Sequence, residues 1–149
     1  MCRWVVVVGE CLAAAVIAGG LTVPALQAAR AEGQAARSVA DGVYTDEQAR
    51  RGRKEYAEKC ATCHATTLRG GEMGPELVGQ TFLGGWTGQT LWSLFDFTLA
   101  TMPQDNPGST SPEAMNDILA FVLQRNDFPS GSAELALDPA AESDPIAIE

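Results

Sequence analysis

Histidine is nearly missing from this chain: His64 is the only one in 149 residues. A site that needs two imidazoles from one polypeptide is therefore excluded. Cysteine is scarce too. Of the four cysteines, Cys2 and Cys11 fall in an N-terminal stretch with the features of an export signal, so the remainder holds only Cys60 and Cys63, and no disulfide framework beyond that pair can form. Positive charge is in short supply, with 10 Lys and Arg against 19 Asp and Glu and a net charge of −9. That sign disfavours nucleic-acid binding and would steer a partner with a positive docking face toward the protein. No stretch alternates convincingly as a strand. The expected class is all-α.

What is there divides into unlike parts. Residues 1–31 read as a secretory signal peptide: Arg3 is followed by the apolar runs Val5 to Val8 and Leu12 to Ile17, and Ala29-Arg30-Ala31 resembles a cleavage site. Glu10 interrupts the apolar stretch, which weighs against a retained spanning helix. Membrane attachment is expected only if residues 1–31 stay uncleaved. Residues 32–43 look like a flexible lead-in and residues 44–130 like the folded unit. Residues 131–149 carry Glu134, Asp138, Glu142, Asp144 and Glu149 without Lys or Arg, plus Pro139 and Pro145, and are expected to form an acidic disordered tail.

Three helices are expected within the folded unit. The first starts at Thr45, which with Gln48 reads as a capping box, carries Asp46 and Glu47 in its first turn, and presents Ala49, Gly52, Tyr56 and Cys60 on its apolar face. The second follows Gly88, with Leu91, Leu94, Phe95, Thr98 and Leu99 at helical spacing, and stops before Pro103. The third has Ser111 as N-cap and Pro112 at its first position, with Met115, Ile118, Leu119 and Val122 on one face, and ends near Asn126. Glycines and prolines punctuate long loops between them. So small a unit builds a marginal core alone, and a large apolar insert would complete it.

Chemistry concentrates in Cys60-Ala61-Thr62-Cys63-His64. A C-x-x-C-H run is the attachment signature of c-type haem: two thiols one turn apart can form thioethers with one porphyrin, and the next residue offers its imidazole to the iron. A thioredoxin-like motif would need a βαβ context, a structural zinc site would need four ligands, and a plain Cys60–Cys63 disulfide is the simplest alternative. With one histidine, the opposite axial position falls to another residue type, and methionine is a recognised partner. Met73 lies too close to His64 to reach the far face easily, and Met115 is in register with core positions. Met102, in a Pro/Gly-rich loop after the second helix, is the candidate, so His64 and Met102 are the expected iron ligands.

Residues 44–130 resemble a class I c-type cytochrome, in the order of the C-x-x-C-H run and the downstream Met102-Pro103. They also resemble single-haem cytochromes associated with periplasmic quinoprotein dehydrogenases, through Phe82-Leu83-Gly84-Gly85-Trp86, Thr101-Met102-Pro103 and Pro107-Gly108. The resemblance implies a small cytochrome c fold, three main helices with long loops wrapped around one haem c held covalently by Cys60 and Cys63. It implies that the Pro75 carbonyl accepts a hydrogen bond from the ring of His64 and that Leu77 lines the same face. Gly52, Tyr56 and Phe121 match the small and aromatic residues where the first and last helices cross. For Trp86, core packing and an N–H to a haem propionate both stay open, as do propionate contact and simple exposure for Arg69.

The expected function is periplasmic: a single-haem electron carrier, not an enzyme, moving one electron from a donor dehydrogenase to an oxidase or another cytochrome by Fe(III)/Fe(II) cycling. Its partners would be redox proteins, with the chain a monomer or a subunit. Two alternatives stand beside it: an electron-transfer subunit permanently bound to a dehydrogenase, and a five-coordinate haem sensor or enzyme.

Overall fold

The computed structural model describes residues 37–141 and 145–149. The expected signal peptide, residues 1–31, and residues 32–36 of the lead-in lie outside the described residues. Five α-helices are present among the described residues: α1 Asp46–Lys59, α2 Ala61–His64, α3 Gln80–Trp86, α4 Leu91–Thr101 and α5 Pro112–Arg125. No strand longer than an isolated bridge accompanies them. Among the described residues, no helix is long and apolar enough to cross a membrane.

The three long helices start where their caps dictate. Thr45, Thr90 and Ser111 each sit in extended backbone and accept from the N–H of Gln48, Ser93 and Ala114 respectively, which satisfies a donor left orphaned by the first turn. The capping box expected at α1 is only half formed. Gln48 does not reach back to Thr45; its amide is buried and clasps the backbone of Leu135, donating to the carbonyl at 2.8 Å and accepting from the N–H at 2.7 Å. A full capping box appears instead at Ser38 and Asp41, around a short 3-10 turn at Val39–Asp41. The short α3, not anticipated through Gly84-Gly85, also extends the expected set.

α1 and α5 form the principal crossing. Its closest point is Gly52, where a Cβ would come within 1.7 Å of the Asp117 carbonyl oxygen. Glycine at this position forfeits roughly 1 kcal/mol of helix propensity relative to alanine, and the crossing is what compensates. Two clusters flank it. One joins Val39, Tyr44, Ala49, Leu91, Leu94, Phe95, Met115 and Leu119; the other joins Tyr56, Leu68, Val78, Ile118, Phe121 and Val122. Tyr56 and Phe121 meet with ring centroids 5.5 Å apart.

The segment expected to be a disordered acidic tail is corrected by its packing. Leu135, Leu137, Ile146 and Ile148 are all buried in the first cluster. Asn116 repeats the device of Gln48, with its Nδ2 donating to Leu137 O at 2.8 Å and its Oδ1 accepting from Leu137 N at 2.9 Å. Arg51 bridges α5 and the segment through Asp117 and Glu134. The lead-in is corrected in the same way from residue 37 onward, because Val39 and Val43 are core residues. The acidic composition is real, but apolar side chains in alternate positions and two buried amides outweigh the ordering entropy.

Replacing Gly52 with alanine is expected to destabilise by at least ~2 kcal/mol, against the usual gain for Gly→Ala in a helix; urea unfolding followed by circular dichroism checks it. Gln48→Ala leaves the buried N–H and C=O of Leu135 unpaired and is expected to cost about 2–4 kcal/mol by the same measurement.

Candidate haem site

α1 ends at Cys60, whose N–H donates to Tyr56 O at 2.9 Å, and the single turn α2 follows at once, with the N–H groups of Cys63 and His64 donating to Cys60 O at 3.2 and 3.0 Å. The two thiols are free and partly exposed, one turn apart. Burial pushes the Cys60 thiol up to about 11, so at neutral pH it is protonated.

His64 is buried. Its Nδ1 lies 2.8 Å from the carbonyl oxygen of Pro75. A carbonyl can only accept, so Nδ1 carries the hydrogen and Nε2 keeps its lone pair, the tautomer a metal requires. The loop between them is folded to deliver that carbonyl. Gly70 N–H donates to His64 O at 3.1 Å, Gly71 N–H to Gly74 O at 2.9 Å, and Leu77 N–H to Leu68 O at 2.8 Å. At Gly74 a Cβ would sit 3.0 Å from the imidazole Nδ1, so the backbone grazes the ring edge where no side chain fits comfortably.

Two further residues brace this loop, and the sequence reading missed both roles. Tyr56 donates its hydroxyl to Ala65 O at 2.7 Å, with His64 O at 3.3 Å. Burial pushes its phenol up to about 12, with the Cys60 thiolate that forms at high pH adding to the shift. Asn126, the C-cap of α5, donates to Leu77 O at 3.0 Å and accepts from Gly79 N at 3.0 Å. The signal for Tyr56 was its place one turn before Cys60, since a buried phenol needs a polar partner; Asn126 had only its helix-end position.

Of the remaining candidates, Leu77 packs with Cys60, Ala61 and Phe82 on the second cluster. Trp86 closes α3 and packs with Phe82 and Leu99 on the first, tilted against Phe97 at 5.8 Å. Trp92 uses its indole N–H on Asp138 O at 3.3 Å. Met102 is the half-exposed C-cap of α4, its N–H donating to Thr98 O at 2.9 Å, and Met115 is buried in the core. Arg69 is exposed.

The residues present fit a haem. An imidazole is fixed with its free nitrogen available, beside two unlinked thiols. α3 brings Phe82, Leu83 and Trp86 together without burying any of them, and Phe97 on α4 is 51% exposed. Apolar side chains so placed await a large apolar partner.

The helical frame and the C-x-x-C-H turn define a class I c-type cytochrome. Residues 47–122, just over half of the chain, match the family described as cytochrome c oxidase, cbb3-type, subunit III, and the chain belongs to that family. No curated protein matches the chain, and no solved structure does. A cytochrome c domain implies covalently bound haem c, haem-based electron transfer and redox proteins as partners.

The raised phenol of Tyr56 sets an alkaline dependence. Its folded-state value lies above the ordinary 10.0, near 12, so the stabilisation it carries is complete below about pH 10 and lost as pH rises through about 12. Tyr56→Phe is expected to remove that part of the alkaline stability profile and to cost about 1–2 kcal/mol at neutral pH, read by urea unfolding across pH.

Proposed function

We propose that this protein is an exported, periplasmic single-haem c-type cytochrome, carrying one electron at a time from a donor dehydrogenase to an oxidase or another cytochrome. Cys60 and Cys63 would hold the haem by thioethers, and His64 and Met102 would ligate its iron. The observation that carries the reading is the His64 ring locked onto Pro75 O at 2.8 Å within a C-x-x-C-H turn. Bound there, haem supplies reversible one-electron Fe(III)/Fe(II) chemistry.

The chain's own residues do the rest. The Pro75 carbonyl orients the imidazole and raises its basicity. Leu77, Phe82 and Leu99, partly buried against the two clusters, would keep water from the ring, and a low-dielectric surrounding would favour the state of lower charge. Trp86 is placed among half-buried apolar residues, with its indole N–H for a propionate. With both His64 and Met102 on the iron, the protein would leave no coordination site for substrate and would act by electron transfer. Recognition uses the exposed edge near Cys60 and Cys63 in a small, short-lived interface, toward which the acidic surface steers a basic partner.

A second reading is favoured by one finding: the matching family is described as an oxidase subunit. In that reading the domain works as a bound electron-transfer subunit of a dehydrogenase or oxidase. Purification of the native protein decides between a free carrier and a stable complex.

Two variants test the site. Cys60→Ala/Cys63→Ala is expected to abolish haem staining after denaturing electrophoresis, since only thioether-linked haem survives denaturation; retained staining contradicts the attachment. Met102→Ala is expected to abolish the red-edge methionine-to-iron charge-transfer band, and an unchanged spectrum removes Met102 from the site.

A further inference from the structure

The segment that composition marks as a tail makes its most regular contacts with the start of α4. Leu91 N–H, a first-turn donor with no partner inside its helix, donates to Ile146 O at 2.8 Å. Gly88 N–H donates to Ile148 O at 2.9 Å, and Ile148 N–H to Gln89 O at 2.9 Å. On its other side the segment is tied by Val39 N–H to Ala147 O at 3.0 Å and Ala147 N–H to Arg37 O at 2.8 Å. Ile146 and Ile148 are 1% and 3% exposed, in the cluster that also holds Leu91, Leu94 and Phe95 of α4.

Toward its far end α4 keeps two contacts, Leu99 on the same cluster and Phe97 against Trp86, and beyond it the chain is open. Met102 is its C-cap, and residues 104–109 that follow are all exposed. The loop therefore contributes little to where Met102 stands. α4 has 11 residues without glycine or proline, a rod about 16 Å long at ~1.5 Å per residue. A tilt at its first turn is carried undiminished to its last.

We propose that Ile146 and Ile148 are positioning residues for the sixth iron ligand: they fix the first turn of α4, and the helix carries that constraint to Met102. The proposal rests on the reading that Met102 ligates the iron. It gives the packed acidic segment a role in the site it does not touch: holding the methionine within bonding reach and so suppressing an open coordination position.

The test uses the full-length haem-loaded protein. Ile146→Ala/Ile148→Ala is compared with Leu135→Ala/Leu137→Ala, which empties comparable core volume in the same segment at the part clasped by Gln48 and Asn116 of α1 and α5. Added imidazole competes with Met102 for Fe(III), so its apparent affinity reports how firmly the methionine is held. The expected result is a weakened charge-transfer band and imidazole binding about tenfold tighter or more in the 146/148 variant, with wild-type affinity in the 135/137 variant and restoration by Ile146→Val/Ile148→Val. Should the double variant fail to hold haem, Ile148→Ala alone is expected to shift affinity in the same direction. Equal affinities in the two alanine doubles, or no change in Ile148→Ala where the double does not fold, overturn the proposal. Met102→Ala separates the two failures. If it abolishes the band while the 146/148 and 135/137 variants stay alike, positioning alone fails; if it leaves band and affinity unchanged, the ligand reading fails and the proposal with it.

Discussion

The crossing of α1 over α5 at Gly52 is the constraint from which the site follows. With only 1.7 Å between a notional Cβ and the Asp117 carbonyl oxygen, the two backbones touch, and that contact fixes how α1 lies on α5. The end of α1 is Cys60. Because α2 begins at the next residue, the turn that carries both thiols and the imidazole inherits its placement from a helix packed on the most buried element of the fold. Few residues lie between the crossing and the chemistry, and Tyr56, packed on Phe121 with its hydroxyl on the Ala65 carbonyl, occupies that interval.

From there the architecture divides the work between two clusters. The one around Tyr56, Leu68 and Phe121 supports the histidine side, where the loop from Ala65 to Leu77 returns to present the Pro75 carbonyl. The larger one, around Phe95, Met115 and Leu119, supports α4, which ends at Met102. Phe82 packs against both. The half-exposed apolar residues lie along α3 and α4, between these supports, which is where the fold is incomplete as protein alone and where a covalently held ring would finish the core.

Local features were legible in the sequence because their causes are local. Thr45, Ser111 and Pro112 mark helix starts through their own side chains, and the C-x-x-C-H spacing is itself the chemistry. The cost of Gly52 in a helix pointed to a close approach, and the approach is there. The resemblance placed Pro75 against His64, where the carbonyl lies. α3 was hidden by Gly84 and Gly85, whose poor propensity is overridden by the packing of Phe82. In the acidic segment charge masks the signal carried by spacing: Leu135 and Leu137, then Ile146 and Ile148, alternate in the period that buries one face of an extended chain. The destinations of Gln48 and Asn116 had no local signature, since Gln48 finds its partner 87 residues away and nothing near it in sequence announces one.

The proposal on which the rest turns is that His64 and Met102 both ligate the haem iron, so that electrons would pass and no ligand or substrate would bind. A redox titration of the purified haem protein under carbon monoxide tests it most directly. The account predicts a single one-electron transition between low-spin states, with the reduced spectrum unaltered by carbon monoxide. Ready formation of a carbon monoxide adduct, or a high-spin ferrous state, would contradict it and assign the protein to ligand binding instead of electron transfer.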